Sequence, residues 1–254
     1  MTTVRHRCIT RATTILAAGV LTLFALAHGP QALGEEPDEQ LLKEAVAAFS
    51  PPAPKKSARE LPASPERISL GRSLFFDPRI SVDGTVSCAR CHQPALYGTD
   101  GLAKSHGIHD TVLPRNAPTV LNSGLQFKTH WDGVFENVEE QAQKALLRGF
   151  GNTDNVTAMA RVKAIAGYAE LFQKAFPGEA DPVTAENWGK AIGAYERTLV
   201  TTSRLDDYLG GKVAALSAAE RQGLSTFLKI GCAECHHDAL VGGTEFREFG
   251  VVED

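Results

Sequence analysis

The chain has 254 residues, of which 43% are hydrophobic and 22% are charged, and its formal net charge at neutral pH is −4. This length accommodates one large domain or two modest ones, and the hydrophobic fraction is typical of a soluble globular protein. The mild acidic charge excludes the strongly basic surface that identifies many nucleic-acid-binding proteins, so no nucleic-acid partner is expected.

The first 34 residues have the pattern of a signal peptide. Arg5, Arg7 and Arg11 form a basic n-region, the apolar run 12–27 forms an h-region, and small residues precede a cleavage point after Gly34. The alternative is an uncleaved membrane anchor, because the apolar run is near the upper length limit of an h-region. Both interpretations predict that the remainder of the chain is exported.

The following segment, 35–63, predicts a short helix over residues 39–49 and then a proline-rich linker or surface arm. Ser64 as N-cap and Pro65 at the first helical position predict the start of the next helix. Residues 78–130 are rich in Gly, Pro and Asn, and helical turns are expected only around Cys88–His92. A loop of this length without its own secondary structure usually wraps a bound group.

The rest of the chain predicts helices and no convincing strand. Asn137 and Glu140 resemble a capping box, the segment 156–176 predicts one or two amphipathic helices, and Ser217 with Glu220 repeats the capping pattern. A stripe at helical spacing predicts core packing through Trp188, Ile192, Tyr195 and Leu199. The architecture expected is therefore mostly α, with long loops that wrap a ligand.

The cysteines carry the chemistry. Cys8 lies in the predicted signal peptide, and the other four lie in two Cys-x-x-Cys-His motifs, formed by Cys88, Cys91 and His92 and by Cys232, Cys235 and His236. This motif attaches c-type haem, because two intervening residues let both sulfurs face one side of a helical turn and bond the haem vinyl groups. The histidine is then the proximal ligand of the iron.

Two other interpretations of the motif are disfavoured. A zinc site needs four ligands around one tetrahedron and no histidine after each cysteine pair. A thioredoxin-like redox site needs a βαβ context, which the sequence does not show. What each iron does then depends on its sixth coordination position, because an open position allows peroxide or oxygen to bind whereas two protein ligands favour electron transfer.

The sequence resembles the bacterial di-haem cytochrome c peroxidases. The resemblance extends from about Ser69 to the last residue and rests on several motifs in that family's order: "LGRSLFFDPRIS", "SCARCHQPALYGTDG", "PRNAPTVLNSGLQFKTHWDG", "EEQA", "KAIGAYERTLV", "RLDDYLGG" and "GCAECHH". The methylamine-utilisation di-haem proteins share this superfamily and remain an alternative.

The resemblance implies two cytochrome c-like haem domains, here 64–200 and 201–254. His92 would be the proximal ligand of a peroxidatic haem, and His236 that of an electron-entry haem. Trp131 matches a tryptophan lying between the haems, Gln141 matches a glutamine of the distal pocket, and Asn116 matches a side chain near a calcium site, so one calcium ion is a further expectation.

Three departures from the family stand out. The position of a histidine that ligates the first iron in many members is Ile108 here, and His106 and His109 flank it as alternative ligands. A catalytic glutamate is replaced at the expected place by Gly151. His130 is the candidate substitute for proton transfer.

The third departure is at the C-terminus. The family's sixth ligand to the second iron, usually methionine, follows the second motif by many tens of residues, and neither Met1 nor Met159 is placed for that role. We therefore expect that the second domain is truncated in this sequence.

The resemblance implies a periplasmic peroxidase that reduces hydrogen peroxide to water with electrons from a small cytochrome c or copper protein. A homodimer is a further expectation, since relatives often dimerise. Two alternatives stay open: a di-haem electron carrier without peroxidase activity, and an oxidase of a partner protein like the methylamine-utilisation relatives. The missing glutamate favours the carrier, whereas Gln141, Trp131 and the full set of motifs favour the peroxidase.

Overall fold

The computed structural model describes residues 37–50 and 63–246, and apart from three isolated β-bridges their regular secondary structure is helical. The α-helices of these residues are α1 Pro37–Ala48, α2 Pro65–Phe76, α3 Cys88–Cys91, α4 Val138–Arg148, α5 Asn155–Ala164, α6 Tyr168–Ala175, α7 Ala185–Glu196, α8 Arg204–Leu209 and α9 Ala218–Lys229. Short 3₁₀ turns lie at Pro78–Ile80, Pro94–Leu96, Ile108–Asp110, Ser123–Leu125, Val213–Ala215 and Cys232–Glu234. The prediction of a mostly α protein is confirmed.

The predicted signal peptide and most of the proline-rich arm lie outside the described residues. Within the described part of the chain, no helix is both long enough and apolar enough to cross a lipid bilayer.

Local capping contacts start three helices where the sequence predicts. The Ser64 hydroxyl accepts the Arg67 backbone N–H at 3.2 Å, and the Asn137 carboxamide oxygen accepts the Glu140 N–H at 2.9 Å. Ser217 and Glu220 form a reciprocal capping box. Each side chain satisfies a backbone N–H that has no partner within its own helix.

The larger core cluster is formed by α2 and α4–α7. Trp188 and Ile192 are fully buried in it, with Tyr195 and Leu199 packed at its margin, so the predicted core stripe is confirmed. The segment 156–176 forms two helices, because the chain turns at Gly167, whose φ of 92° is a left-handed conformation that favours glycine.

A smaller cluster joins α1 to α8 and α9. Its members include Ala45, Phe49 and Tyr208, and the Arg221 guanidinium on α9 donates to Asp38 on α1 at 2.9 Å. The segment 35–63 therefore contributes a helix to the packing of residues that follow position 201.

The long loop between α2 and α4 is tied to the helical core at separate points. The Tyr168 hydroxyl donates to Asp77 at 2.9 Å at the start of the loop, and the Val82 N–H donates to the Phe150 carbonyl at 3.0 Å. Near the end of the loop, Arg197 on α7 donates to the Gly124 carbonyl at 2.9 Å. These contacts hold the loop, which carries the first cysteine motif, against α4, α6 and α7.

The closest helix contact in the larger cluster makes a first prediction. A methyl group added at Gly71 of α2 would lie 1.8 Å from the Ala191 carbonyl oxygen of α7. Gly71→Ala should therefore lower the free energy of unfolding by about 1–3 kcal/mol, the usual range for overpacking a core, as measured by the urea midpoint of the holoprotein.

Gly223→Ala is the matched control, since Gly223 lies within α9 and an added methyl would meet no atom within 4 Å. It should leave stability unchanged or raise it by about 0.5–1 kcal/mol. Equal midpoints for the two variants would contradict this account of the α2–α7 contact.

Candidate functional site

The first cysteine motif forms the four-residue helix α3. The His92 N–H donates to the Cys88 carbonyl at 2.9 Å, which closes one helical turn. Cys88 packs against the larger core cluster, and the Cys91 thiol lies 3.9 Å from the His106 carbonyl oxygen. The turn therefore presents two thiols and one imidazole from a single short element.

The His92 ring is fixed by two backbone carbonyls. Its Nδ1 lies 3.2 Å from the Gly98 oxygen and 3.0 Å from the Pro118 oxygen. Because carbonyls only accept hydrogen bonds, Nδ1 carries the proton and the Nε2 lone pair remains available to a metal. Burial lowers the pKa of His92, which keeps the imidazole neutral, as a metal ligand must be.

The second motif repeats this arrangement. Cys232 begins a 3₁₀ turn that Cys235 caps, the His236 N–H donates to the Cys232 carbonyl at 2.9 Å, and the His236 Nδ1 lies 3.1 Å from the Val241 carbonyl oxygen. His236 is exposed, whereas His92 is half-buried. Both motifs therefore present an Nε2 held in one orientation by a backbone acceptor.

These residues fit c-type haem. None of the four motif cysteines forms a disulfide, so each thiol is available for a thioether bond. Burial raises the pKa of Cys88 and Cys91, so both are neutral thiols in the folded chain. A carbonyl on the non-coordinating nitrogen is the usual way in which proteins orient a ligating histidine.

The two candidate distal ligands are both paired with carboxylates. His106 lines a cavity of about 370 Å³ beside Cys91, and its Nδ1 lies 2.8 Å from an Asp110 oxygen. His109 is 68% exposed, and its backbone N–H donates to Asp83 at 2.9 Å. These contacts do not favour His106 over His109 as a ligand of the first iron, so the identity of a distal ligand stays a prediction.

Ile108 and Gly151, two positions at which this chain departs from the family, are in contact in the structure. The side chain of Ile108 packs against Gly151, where an added Cβ would lie 2.2 Å from the isoleucine Cδ1. Gly151 also has a φ of 73°, a conformation that other residues adopt only with strain. A side chain at position 151 would therefore require the end of the Ile108 side chain to move and the backbone to keep a strained conformation.

Trp131 lies on a loop between the first motif and α4. Its ring is 58% exposed, and its indole N–H donates to the Asn116 carbonyl at 3.2 Å. The structure thus brings together two residues predicted separately from the sequence. Among the described residues no three His, Cys, Asp or Glu side chains converge as on a metal ion, so calcium near Asn116 stays an expectation.

His130, the candidate for proton transfer, is held by a neighbouring carboxylate. Its Nδ1 lies 2.9 Å from Asp132 Oδ1, and the other Asp132 oxygen accepts from Arg115 at 3.0 Å. The hydrogen bonds from His130 and Arg115 hold the pKa of Asp132 far below its usual range. An imidazole oriented in this way by an anion resembles the base of many catalytic groups.

Gln141 and Glu139 lie in the first turns of α4. Gln141 is half-buried, and among the described residues its carboxamide has no hydrogen-bond partner. Glu139 does not face solvent: its side chain is 12% exposed and accepts two hydrogen bonds from Arg197, at 2.7 and 2.8 Å. Gly189 and Gly193 on α7 leave the space that Glu139 occupies.

Sequence reasoning missed a second buried acid. Glu196, the last residue of α7, is 5% exposed, and burial together with the like charge of Glu139 raises its pKa to about 8. Its charge acts on the Cys88 thiol, which places it near the first motif. Glu196 lies in the family motif "KAIGAYERTLV", and no local pattern distinguishes this glutamate from an exposed one.

Comparisons with known proteins agree with the motifs. The sequence profile of the family described as "Di-haem cytochrome c peroxidase" matches residues 65–214. The methylamine utilization protein MauG of Methylorubrum extorquens is 35% identical over 216 residues, which are 84% of this chain and 61% of that protein. The cytochrome c551 peroxidase of Pseudomonas aeruginosa is 36% identical over 219 residues, 85% of this chain and 63% of that protein.

A solved structure shows the same fold. The crystal structure of a MauG-like protein associated with microbial copper homeostasis superimposes with a TM-score of 0.63 at 32% identity, over 75% of this chain and 58% of that one. The chain thus spans about three fifths of the length of the relatives it matches.

Haem attachment is tested by removing one motif at a time. Replacing Cys88 and Cys91 by alanine should reduce the covalently bound haem from two groups per chain to one, because each pair of thiols carries its own thioethers. Replacing Cys232 and Cys235 should have the same effect on the other haem. Haem content by the pyridine haemochrome assay checks both variants, and an unchanged content in either would contradict the assignment.

The buried Glu196 predicts a pH dependence of stability. Its pKa of about 8 in the folded chain exceeds the ordinary value of 4.5, so the unfolded chain loses this proton first as the pH rises. Stability from this group is complete below pH 4.5 and is lost as the pH rises towards 8. The unaltered chain should therefore lose roughly 3 kcal/mol of its free energy of unfolding between pH 5 and pH 8, and Glu196→Gln should abolish this loss.

Urea unfolding at the two pH values measures this difference. Glu66→Gln is the control, since Glu66 is exposed in the first turn of α2. The prediction is contradicted if the Glu196→Gln variant and the unaltered chain lose the same stability across this range.

Proposed function

The chain belongs to the di-haem cytochrome c peroxidase family, and from that premise we propose that it reduces hydrogen peroxide to water at its first haem site. Electrons would enter at the second. The observation that carries the proposal is the matched orientation of His92 and His236, each with Nδ1 on a backbone carbonyl and Nε2 directed away from it. Two such sites in one chain suit a reaction that needs two electrons.

The bound haem supplies an iron that can take up a small oxidant and exchange electrons. The chain itself contributes tethering and orientation. Cys88 and Cys91 fix the group to α3, and the carbonyls of Gly98 and Pro118 keep the His92 ring from rotating. At the second site Cys232, Cys235 and the Val241 carbonyl have the same roles.

Proton handling at the first site is assigned to His130. Reduction of peroxide benefits from a group that moves a proton between the two oxygens. Gly151 has no side chain for this role, and a Cβ at this position would require the Ile108 side chain to move. His130 has its Nδ1 on Asp132, which directs Nε2 as the nitrogen that exchanges protons. Gln141 is a hydrogen-bond donor for the same pocket.

In the proposed function, access to the first haem site would depend on the turn 105–113, whose ends are joined by a 2.8 Å hydrogen bond from the Leu113 N–H to the Ser105 carbonyl. His106 and His109 would each have to leave a carboxylate partner, Asp110 or Asp83, before ligating. We propose that peroxide would reach a haem held by His92 while these pairs are intact.

The electron route passes through Trp131, which matches the tryptophan between the haems of the family. The donor would be a small cytochrome c or a copper protein, and the site of action the periplasm, reached by the signal peptide 1–34. One calcium ion near Asn116 and a homodimer complete the proposal. These features rest on the family resemblance and on relatives named as cytochrome c551 peroxidases.

Two other functions have specific support. The absence of a glutamate at Gly151 suits a di-haem electron carrier without peroxidase activity. The 35% identity to a methylamine utilization protein suits oxidation of a partner protein. Peroxide turnover would be found for the proposed peroxidase and not for the electron carrier. An oxidase of a partner protein would form the oxidised partner when peroxide is supplied and no electron donor is added.

The first test combines spectra with a single substitution. A high-spin first haem that binds cyanide and turns over peroxide supports the proposal, whereas two low-spin haems in both the oxidised and half-reduced protein, with no turnover, support the carrier. His130→Ala should slow peroxide turnover about a hundredfold, the lower end of what a positioned acid–base group contributes. Unchanged turnover, with unchanged spectra of both haems, would remove His130 from the mechanism.

A further inference from the structure

The loop that carries Trp131 is a tight turn closed by its own backbone. The Thr129 N–H donates to the Phe135 carbonyl at 3.0 Å, and the Gly133 N–H donates to the His130 carbonyl at 3.2 Å. Trp131 stands within this turn with more than half of its surface exposed. Packing alone therefore does not fix the orientation of the indole.

An exposed side chain without such packing changes rotamer on the picosecond to nanosecond timescale unless polar contacts hold it. Among the residues that the structure describes, the polar contact of the Trp131 ring is the 3.2 Å hydrogen bond from its indole N–H to the Asn116 carbonyl. That bond holds the ring only while the backbone of the turn and the backbone at Asn116 keep their separation.

A second contact is made by the residues next to Trp131 and Asn116 in the sequence. Asp132 follows Trp131, Arg115 precedes Asn116, and their side chains form a hydrogen bond of 3.0 Å. Asp132 also accepts from His130 at 2.9 Å, so its carboxylate links both neighbours of the tryptophan. Two adjacent contacts thus join the same two short segments. The hydrogen bonds from His130 and Arg115 lower the pKa of Asp132, so its carboxylate is ionised at neutral pH.

We propose that Arg115 and Asp132 are positioning residues for Trp131, which hold the two segments together so that the indole keeps its hydrogen bond to the Asn116 carbonyl. This inference rests on the proposed function, in which one electron at a time crosses from the second haem site to the first through this ring. No bond at the indole is made or broken in that transfer.

The pair is accessible to solvent, which makes the inference testable with salt. The side chains of Arg115 and Asp132 are 46% and 48% exposed. The Debye length falls from about 10 Å at 0.1 M ionic strength to about 3 Å at 1 M, so salt weakens an exposed ion pair of this kind. A neutral hydrogen bond such as that of the indole is not screened in this way.

The experiment uses the holoprotein labelled with ¹⁵N in its tryptophan indoles and fully reduced. Hydrogen exchange of the Trp131 indole N–H is measured, with the fully buried Trp188 as internal reference. Arg115→Met removes the pair while leaving His130 bonded to Asp132, and Asp132→Ala removes both contacts. Each variant should raise the exchange rate of Trp131 about fivefold or more and leave that of Trp188 unchanged.

The same variants are compared in electron transfer between the haems after flash reduction, where a loss of about tenfold is expected. Raising the salt to 1 M should speed Trp131 exchange in the unaltered protein but not in Arg115→Met. Asp181→Ala is the matched control, because Asp181 is an exposed carboxylate paired with Lys163 at 2.7 Å. It should change neither readout.

The positioning role is overturned if Arg115→Met and Asp132→Ala both keep the wild-type rates of indole exchange and of electron transfer between the haems. If Trp131→Phe nevertheless slows electron transfer, the proposed function is left standing. If Trp131→Phe also transfers electrons at the wild-type rate, the tryptophan route of the proposed function is wrong as well.

Discussion

The arrangement of both haem motifs depends on one constraint: a histidine that binds iron through one ring nitrogen needs the other nitrogen fixed. Here the fixing group is a backbone carbonyl at each site. A carbonyl cannot rotate away as a side chain can, so the orientation of the ring is set by the path of the main chain. The long loop must therefore fold back twice to bring the oxygens of Gly98 and Pro118 to His92.

The two sites differ in how deeply the chain buries them. Cys88 of the first site packs against the larger core cluster, and the adjoining helices carry the mostly buried Glu139–Arg197 pair and the buried Glu196 carboxyl. A buried acid with a raised pKa lowers stability at neutral pH, so this core is not arranged for stability alone. His236 is exposed and touches the helical part of the smaller cluster through the ring of Phe227.

The contact between Ile108 and Gly151 joins two substitutions into one structural feature. By the family resemblance, an iron-ligating histidine and a catalytic glutamate occupy these positions. In this chain the Ile108 side chain lies directly on a glycine that has a left-handed backbone, so a side chain at position 151 would strain the backbone and displace the isoleucine. In the proposed function the proton therefore comes from a different loop, where Asp132 holds His130 beside Trp131.

Local sequence patterns were sufficient to identify the haem motifs, the helical class and the helix starts at Ser64, Asn137 and Ser217. These features follow from contacts within about four residues, which a linear pattern records. Only the tertiary structure decided that Glu139 is buried, that α1 packs against α9, that Ile108 meets Gly151 and that Arg115 reaches Asp132. Each of these joins residues from separate elements, and each depends on a space left by glycine or on the path of a loop, which no local spacing encodes.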